Sequence, residues 1–426
     1  MNYIDIKTRI TYLKNIKNWI NNNKNLIYEA LNKDLNKSVA EVDNTELDGI
    51  YEELKIALKN IKKWTKRKRS WELSSLPTLK FYSQAFPYGK VLIISPWNYP
   101  FSLTIRPLIS ALAAGNTAYL KPSEFSSNTS NLIKEMMEEI FDKEVVEVFL
   151  GEKEVTQELM QRDIKFLFFT GNTEVGRILY QQAAKKLIPC VLELGGKCPT
   201  IVDQTTDIKT TAKRIIFGKI MNSGQTCVAP DYICVHESIK EKLIKEIKNE
   251  YHRIYGKKPL ENKSMPAIIS DRHLNRIKNL GLDIKVNNKR QMELLIVENS
   301  SFDSKEMENE LFCPILPIIS YQNIDDIIVE INERPSPLAL YVFSKDKKNI
   351  EHIINSINSG GVAINDTIMH ISSKKLPFGG VGNSGIGGYH GYNGFKAFSH
   401  FRTISKTAIK PDFEIRYHFN KNKEER

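Results

Sequence analysis

Three residues of this 426-residue chain stand where carbonyl chemistry could be done. Cys227 closes the stretch "FGKIMNSGQTC", a helix followed by a short polar turn that would leave its sulfur within reach of a substrate. As a thiolate it would be a strong nucleophile. Glu193 ends the apolar strand of "LELGGK", ahead of two glycines that let another molecule approach the backbone. A carboxylate so placed is a helix cap, an ion-pair partner or a general base. Asn98, fenced by Pro96 and Pro100 in "SPWNYPF", ends the first strand of a sheet and is either a plain turn asparagine or an amide donor. A lone cysteine is more often a small buried hydrophobe. A thiol, a carboxylate and an amide, each at a strand end or sharp turn, form a set able to act on a carbonyl.

Phosphate binding needs different residues. "LPFGGVGNSGIGGYHG", residues 376–391, contains Gly380, Gly382 and Gly385 at G-x-G-x-x-G spacing. A phosphate-binding turn requires a buried strand before it and a helix after it, so that backbone N–H groups and the helix dipole meet the anion. Leu-Pro-Phe is no such strand, and "YHGYNGF" reads as too glycine-rich for an α-helix. "IKFLFFTGNTEVGRILYQQAAKK" has strand, short turn and amphipathic helix, with Gly171 and Gly176 at G-x-x-x-x-G spacing. The dense glycines read instead as a loop near the active site, where bare backbone permits close approach.

The elements around these residues alternate. Residues 1–70 carry apolar side chains every three or four positions and read as helices. Residues 72–95 become extended around a Pro-Tyr-Gly turn, and apolar strands then alternate with helical runs to "CVLELGG" and "PTIVDQ". A second alternating section starts near residue 207. This rhythm predicts parallel sheets covered on both faces, an α/β fold. The expected division is 1–71 with 91–205, then 206–390, with 72–90 and 391–412 set apart from both and a charged tail over 413–426.

Sixty-one Lys and Arg against fifty Asp and Glu leave a net charge of +11. The lysines are scattered among glutamates along helix-like stretches, as a solvated surface would have them. The dense run "IKKWTKRKRSW" reads as the solvated end of a long helix, with nucleic-acid binding as the rival. Five cysteines without a C-x-x-C pair, and an N-terminus lacking an apolar signal core, suit a reducing cytoplasmic setting. No apolar run approaches the ~20 residues that span a bilayer.

"PWNYPF", "KPSE", "FTGNTEVG", "LELGGK", "NSGQTC", "ELFCP", "PLALYVFS", "SGGVAIND", "LPFGGVGNSGIGGYHG" and "FSHFRT" follow one another from about residue 90 to 403. In this order, and with 34 positions between Glu193 and Cys227, the chain resembles the aldehyde dehydrogenase superfamily, specifically its class 3 branch. The resemblance implies a Rossmann-like cofactor domain, an α/β catalytic domain and a small β oligomerisation arm, with a homodimer expected and no metal. It implies NAD(P)-dependent oxidation of an aldehyde to its acid through a thioacyl cysteine, with Cys227 as nucleophile, Asn98 in the oxyanion hole and Glu193 as base. Cofactor contacts would come from Trp97, Lys121, Glu124, Thr170, Gly171, Gly176, Leu194, Glu310 and Phe312. Lys121 favours an anionic 2′-phosphate and Glu124 a free hydroxyl, so NAD is expected ahead of NADP. Relatives that pass the acyl group to coenzyme A need no carboxylate at Glu193, which makes the acylating reaction the alternative. Cys313 stands where the family usually has glycine, and residues 281–309 match the family's hairpin and strand poorly.

Overall fold

The computed structural model describes residues 4–72, 74, 76–413 and 417. Most of the expected charged tail lies outside the described residues. Helical spacing sets the first layer. In α1 (Ile6–Asn22), capped by the Asp5 carboxylate, Leu13, Ile16 and Ile20 are buried on one stripe. Next come α2 (Lys24–Leu35), which stops at left-handed Asn36, and α3 (Val39–Val42). A π-helical turn, Asp43–Leu47, leads into α4 (Asp48–Trp64). Two strands, β1 (Lys68–Ser70) and β2 (Lys80–Pro87), then pair antiparallel.

The first α/β unit runs through β3 (Lys90–Ile94), α5 (Ser102–Ala114), β4 (Thr117–Lys121), α6 (Ser127–Ile140) and β5 (Val146–Val148). It continues through α7 (Lys153–Gln161), β6 (Phe166–Thr170), α8 (Thr173–Lys185) and β7 (Cys190–Glu193). These five strands form a parallel sheet in the order β7-β6-β3-β4-β5.

The second unit contains β8 (Pro199–Val202), α9 (Ile208–Ile220), β9 (Tyr232–His236), α10 (Lys240–Tyr255), α11 (Asp271–Lys278) and β10 (Leu295–Val297). It goes on with β11 (Ile315–Tyr321), α12 (Ile324–Asn332), β12 (Ala339–Phe343), α13 (Lys347–Ser356) and β13 (Gly361–Ile364). Its sheet has the order β10-β11-β9-β8-β12-β13, all parallel. Every residue of β12 is buried, as a strand covered on both faces must be.

The chain then returns. β14 (Gly385–Ile386) pairs antiparallel with β7 of the first sheet, α14 (Gly391–Ala397) packs against α4 and α5, and β15 (Ser399–Lys406) pairs with β2. The arm is therefore the sheet β1-β2-β15.

Four expectations change. Strand Pro199–Val202 belongs to the second sheet, so the boundary falls between Glu193 and Pro199 rather than near 205. Residues 68–70 join the arm sheet, while residues 391–397 pack in the first unit and only β15 reaches the arm. "YHGYNGF" does form a helix: Gly394 lets α14 lie on Ser110, and Phe395 is 1% exposed. Burial there outweighs the glycine cost. The basic run is helical only to Trp64, which is buried; Arg69 lies in β1 with its guanidinium 3.7 Å from the Trp71 ring centroid.

The 376–391 loop owes its glycines to packing against itself and β7. A Cβ on Gly380 would meet the Ser384 carbonyl and the Gly385 nitrogen, and one on Gly385 would lie 2.5 Å from the Leu192 carbonyl oxygen. Gly380→Ala should destabilise the protein by ~1–3 kcal/mol, the usual cost of overpacking, measured as a lowered midpoint in urea.

Candidate active site

Several of the sequence-predicted residues come from the carboxyl ends of neighbouring strands. In the first sheet the chain leaves β3 for Trp97 and Asn98, Lys121 ends β4, Thr170 ends β6 and Glu193 ends β7. Ligands in open parallel sheets bind along this edge. The second unit brings Cys227 and Glu310 to the same place: both carboxyl groups, Glu193 and Glu310, act electrostatically on the Cys227 thiol.

Cys227 follows an unusual turn. After α9, Asn222, Ser223 and Gly224 all have left-handed backbone, with φ of 49°, 53° and 73°. Two non-glycine residues in that region are strained, and hydrogen bonds hold them. Asn222 N donates to Glu41 Oε1 at 2.7 Å, and Ser223 Oγ donates to the Pro266 carbonyl at 2.7 Å. Asn98 is 3% exposed and its Nδ2 donates to the Gln225 carbonyl at 3.0 Å. A primary amide has two hydrogens, so one remains for a substrate oxygen. Tyr99 Oη and Thr226 Oγ1 lie 2.5 Å apart, joining the asparagine loop to the cysteine turn. Cys227 keeps part of its surface open, yet burial of the sulfur, then Glu310 and Glu193, push its thiol up to about 12.

Glu193 is 3% exposed, and neither carboxyl oxygen has a hydrogen-bond partner among the described residues. Burial raises it well above the usual carboxylate range. Its backbone is held on both sides, opposite Thr170 in β6 and Gly385 in β14. Glu310 lies against the backbone that follows: a Cβ on Gly195 would strike its carboxylate. Burial, then Asp231, push Glu310 up to about 8.

Phe312 has φ of 51°, and its ring lies 5.3 Å from that of Trp97. Trp97 also meets the His273 ring edge-on at 4.7 Å. The left-handed residue of "ELFCP" is thus Phe312, so Cys313 brings no backbone strain. Its side chain is fully buried with Leu311 and Ile315, while its carbonyl packs on Gly224.

The turn after β6 has the form a dinucleotide needs. Asn172 caps the thirteen-residue α8, accepting from Val175 N at 2.9 Å, and the Thr170 hydroxyl is buried without a partner. A Cβ on Gly176 would lie 2.5 Å from Leu194 Cδ2, so this glycine also serves close packing of α8 on the end of β7. Lys121 Nζ pairs with Glu124 Oε2 at 2.8 Å. The cap, the orphaned Thr170 hydroxyl and the free Glu193 oxygens fit a bound NAD(P) along this edge.

Sequence reasoning missed the groups that hold these residues. Lys197 Nζ pairs with Asp231 Oδ2 at 2.6 Å and donates to the Glu306 and Asn309 carbonyls, clamping the segment that carries Glu310. Lys37, Glu41 and Glu46 reach the asparagine loop and the cysteine turn from the N-terminal helices. Lys197 is the last residue of "LELGGK" and could have been questioned. The other three sit in ordinary helical patterning and carry no such signal.

The chain matches the aldehyde dehydrogenase family over residues 1–404. It belongs to that family. It is 44% identical over 392 residues to the 4,4'-diaponeurosporen-aldehyde dehydrogenase of Staphylococcus aureus, covering 90% of this chain and 85% of that one. It is also 37% identical to aldehyde dehydrogenase family 3 member B1 of Bos taurus, over 96% of this chain and 89% of the other. A substrate-bound structure of Staphylococcus aureus AldH superposes with a TM-score of 0.94 at 42% identity, covering 96% and 91% of the two chains. The enzyme is thus an NAD(P)-dependent aldehyde dehydrogenase of class 3 type, oxidising aldehydes to acids.

A valine at Gly176 would push Leu194 and the first turn of α8 apart, whereas at Gly382 a Cβ meets no described atom within 4 Å and the cost is the strain of a left-handed φ of 61°. Gly176→Val should therefore weaken NAD binding about tenfold or more, and Gly382→Val by much less, read by fluorescence titration of each variant. The reverse order would place the cofactor turn in the wrong loop.

Proposed function

We propose that Cys227 is the nucleophile, Asn98 an oxyanion donor and Glu193 the base that releases the acid. The carrying observation is the buried Glu193 carboxyl, both oxygens unpartnered, in the electrostatic neighbourhood of the Cys227 thiol. The Cys227 thiol first loses its proton to solvent water, the resulting thiolate bonds to the aldehyde carbon, and the carbonyl oxygen becomes an oxyanion. The Asn98 amide and the Cys227 N–H donate to it; each such donor is typically worth ~3 kcal/mol. Bound NAD(P) supplies the acceptor for the hydride that then leaves the carbon. The thioester left on Cys227 is attacked by water, Glu193 takes the water proton, the C–S bond breaks, and the acid departs with the thiolate restored. A base in this position supports free acid as product over transfer to coenzyme A.

Two finer readings have their own support. The Lys121 charge is already answered by Glu124, so a 2′-phosphate would have to displace a carboxylate. This favours NAD, and kcat/KM should be at least about tenfold higher with NAD than with NADP. The named substrate of the Staphylococcus aureus relative supports a long apolar aldehyde, and kcat/KM should rise with chain length across a series of straight-chain aldehydes. A cytoplasmic homodimer remains our reading: the five cysteines are unpaired, and β15 offers an exposed edge from the arm sheet.

Glu193→Gln keeps size and polarity but removes the base. A burst of NADH should survive in stopped flow, followed by a steady state slowed ~10²–10⁴-fold, with acyl label retained on the protein. Cys227→Ala should show no burst. Because burial raises the Glu193 pKa, its basic form grows with pH, so wild-type turnover should rise with pH and Glu193→Gln should lose that limb. Loss of burst and steady state together would make Glu193 structural or an activator of the thiol.

A further inference from the structure

The Asn98 peptide is gripped from behind by the N-terminal helices. Its carbonyl oxygen accepts from Lys37 Nζ at 2.9 Å and from Asn222 Nδ2 at 2.8 Å. The Lys37 side chain is wholly buried and pairs with Glu46 Oε1 at 2.7 Å; the Glu46 side chain is equally buried. The other Glu46 oxygen accepts from Ser102 N, the first residue of α5, at 2.7 Å. The ammonium also lies 4.1 Å from the Tyr99 ring centroid. One ion pair therefore touches residues 98, 99 and 102, from the loop after β3 into the first turn of α5.

Glu46 owes its place to the π-helical turn Asp43–Leu47, a widened turn of the kind that recurs at functional sites. It lets Glu41 and Glu46, five positions apart, both face the site, where Glu41 holds the cysteine turn.

A buried ion pair is a poor way to stabilise a fold, since well-packed apolar residues of the same volume commonly serve as well or better. An apolar pair cannot donate to a carbonyl. We propose that Lys37 and Glu46 are positioning residues for catalysis: they fix the Asn98 peptide plane and thereby aim its amide at the substrate oxygen. The inference rests on the reading of Asn98 as oxyanion donor. An oxyanion donor acts only if it stands ready at the place where charge develops, and a misplacement of about 1 Å can cost 10²-fold in rate.

The test uses the double variant Lys37→Met/Glu46→Leu, which removes both charges and strands neither. Its melting temperature should fall modestly, because Ser102 N loses its acceptor, while Lys37→Met alone, leaving Glu46 unpaired, melts lower still. Hydride transfer in a single turnover should fall about tenfold or more in the double variant, with KM for the aldehyde within about threefold. Asn98→Ala should itself cost ~10²–10³-fold, and adding the double change to it should cost less than about twofold more. If the double variant does not fold, Glu46→Gln carries the same comparison, with an expected loss of about threefold that likewise vanishes on the Asn98→Ala background. Wild-type hydride transfer in the double variant overturns the proposal. So does a full additional loss on the Asn98→Ala background, which leaves the role of Asn98 standing. Unimpaired Asn98→Ala removes the underlying reading and the proposal with it.

Discussion

A carboxyl group with neither oxygen hydrogen-bonded among the described residues must be held buried and in register at the end of β7. Burying such a group is costly, and much of the surrounding architecture serves to keep it there. The Glu193 backbone lies between β6 on one side and β14 on the other, and the Gly171 amide donates to its carbonyl at 3.0 Å. With the main chain so held, the side chain needs no partner of its own. That freedom is what a proposed base requires.

The same economy governs the thiol. Cys227 sits after three left-handed residues that would not stay folded by local preference. Glu41 holds one of them from the first unit, and the Pro266 carbonyl holds another from the second. Asn98 Nδ2 then bonds across to Gln225. The site is thus tied across the seam between the two units, and the Lys197–Asp231 pair ties the Glu310 segment in turn.

Legibility in the sequence followed how local each signal was. The strand ending in Glu193, the turn with Gly171 and the cysteine after α9 announce themselves in apolar runs, caps and punctuating glycines; the first two lie at the carboxyl edge of the first sheet, and the second unit brings the cysteine into their electrostatic neighbourhood. Pro199–Val202 was placed in the wrong unit because an apolar strand looks the same whichever sheet receives it. The helix Gly391–Ala397 was missed because its stability comes from Phe395 and Gly394 packing on distant residues, against its own propensity. Lys37 and Glu46 could not be read at all. A buried lysine in "DLNKSVAEV" is indistinguishable from a surface one until its tertiary partners are known.

The late return of the chain has a consequence for synthesis on the ribosome. Phe395 and Phe398 lie in the same core as Phe166 and Phe168, and Asn116 Nδ2 donates to the Phe398 carbonyl at 2.8 Å. β14 supplies the sixth strand of the sheet begun at Lys90. The half that emerges first therefore waits, its aromatic core uncapped and the flank of β7 unpaired, while the other half is translated. At ~5–20 residues per second that interval lasts ten seconds or more. The nascent protein must spend it shielded, and the second unit, whose six strands are contiguous in the chain, has every contact of its own sheet before the first one does.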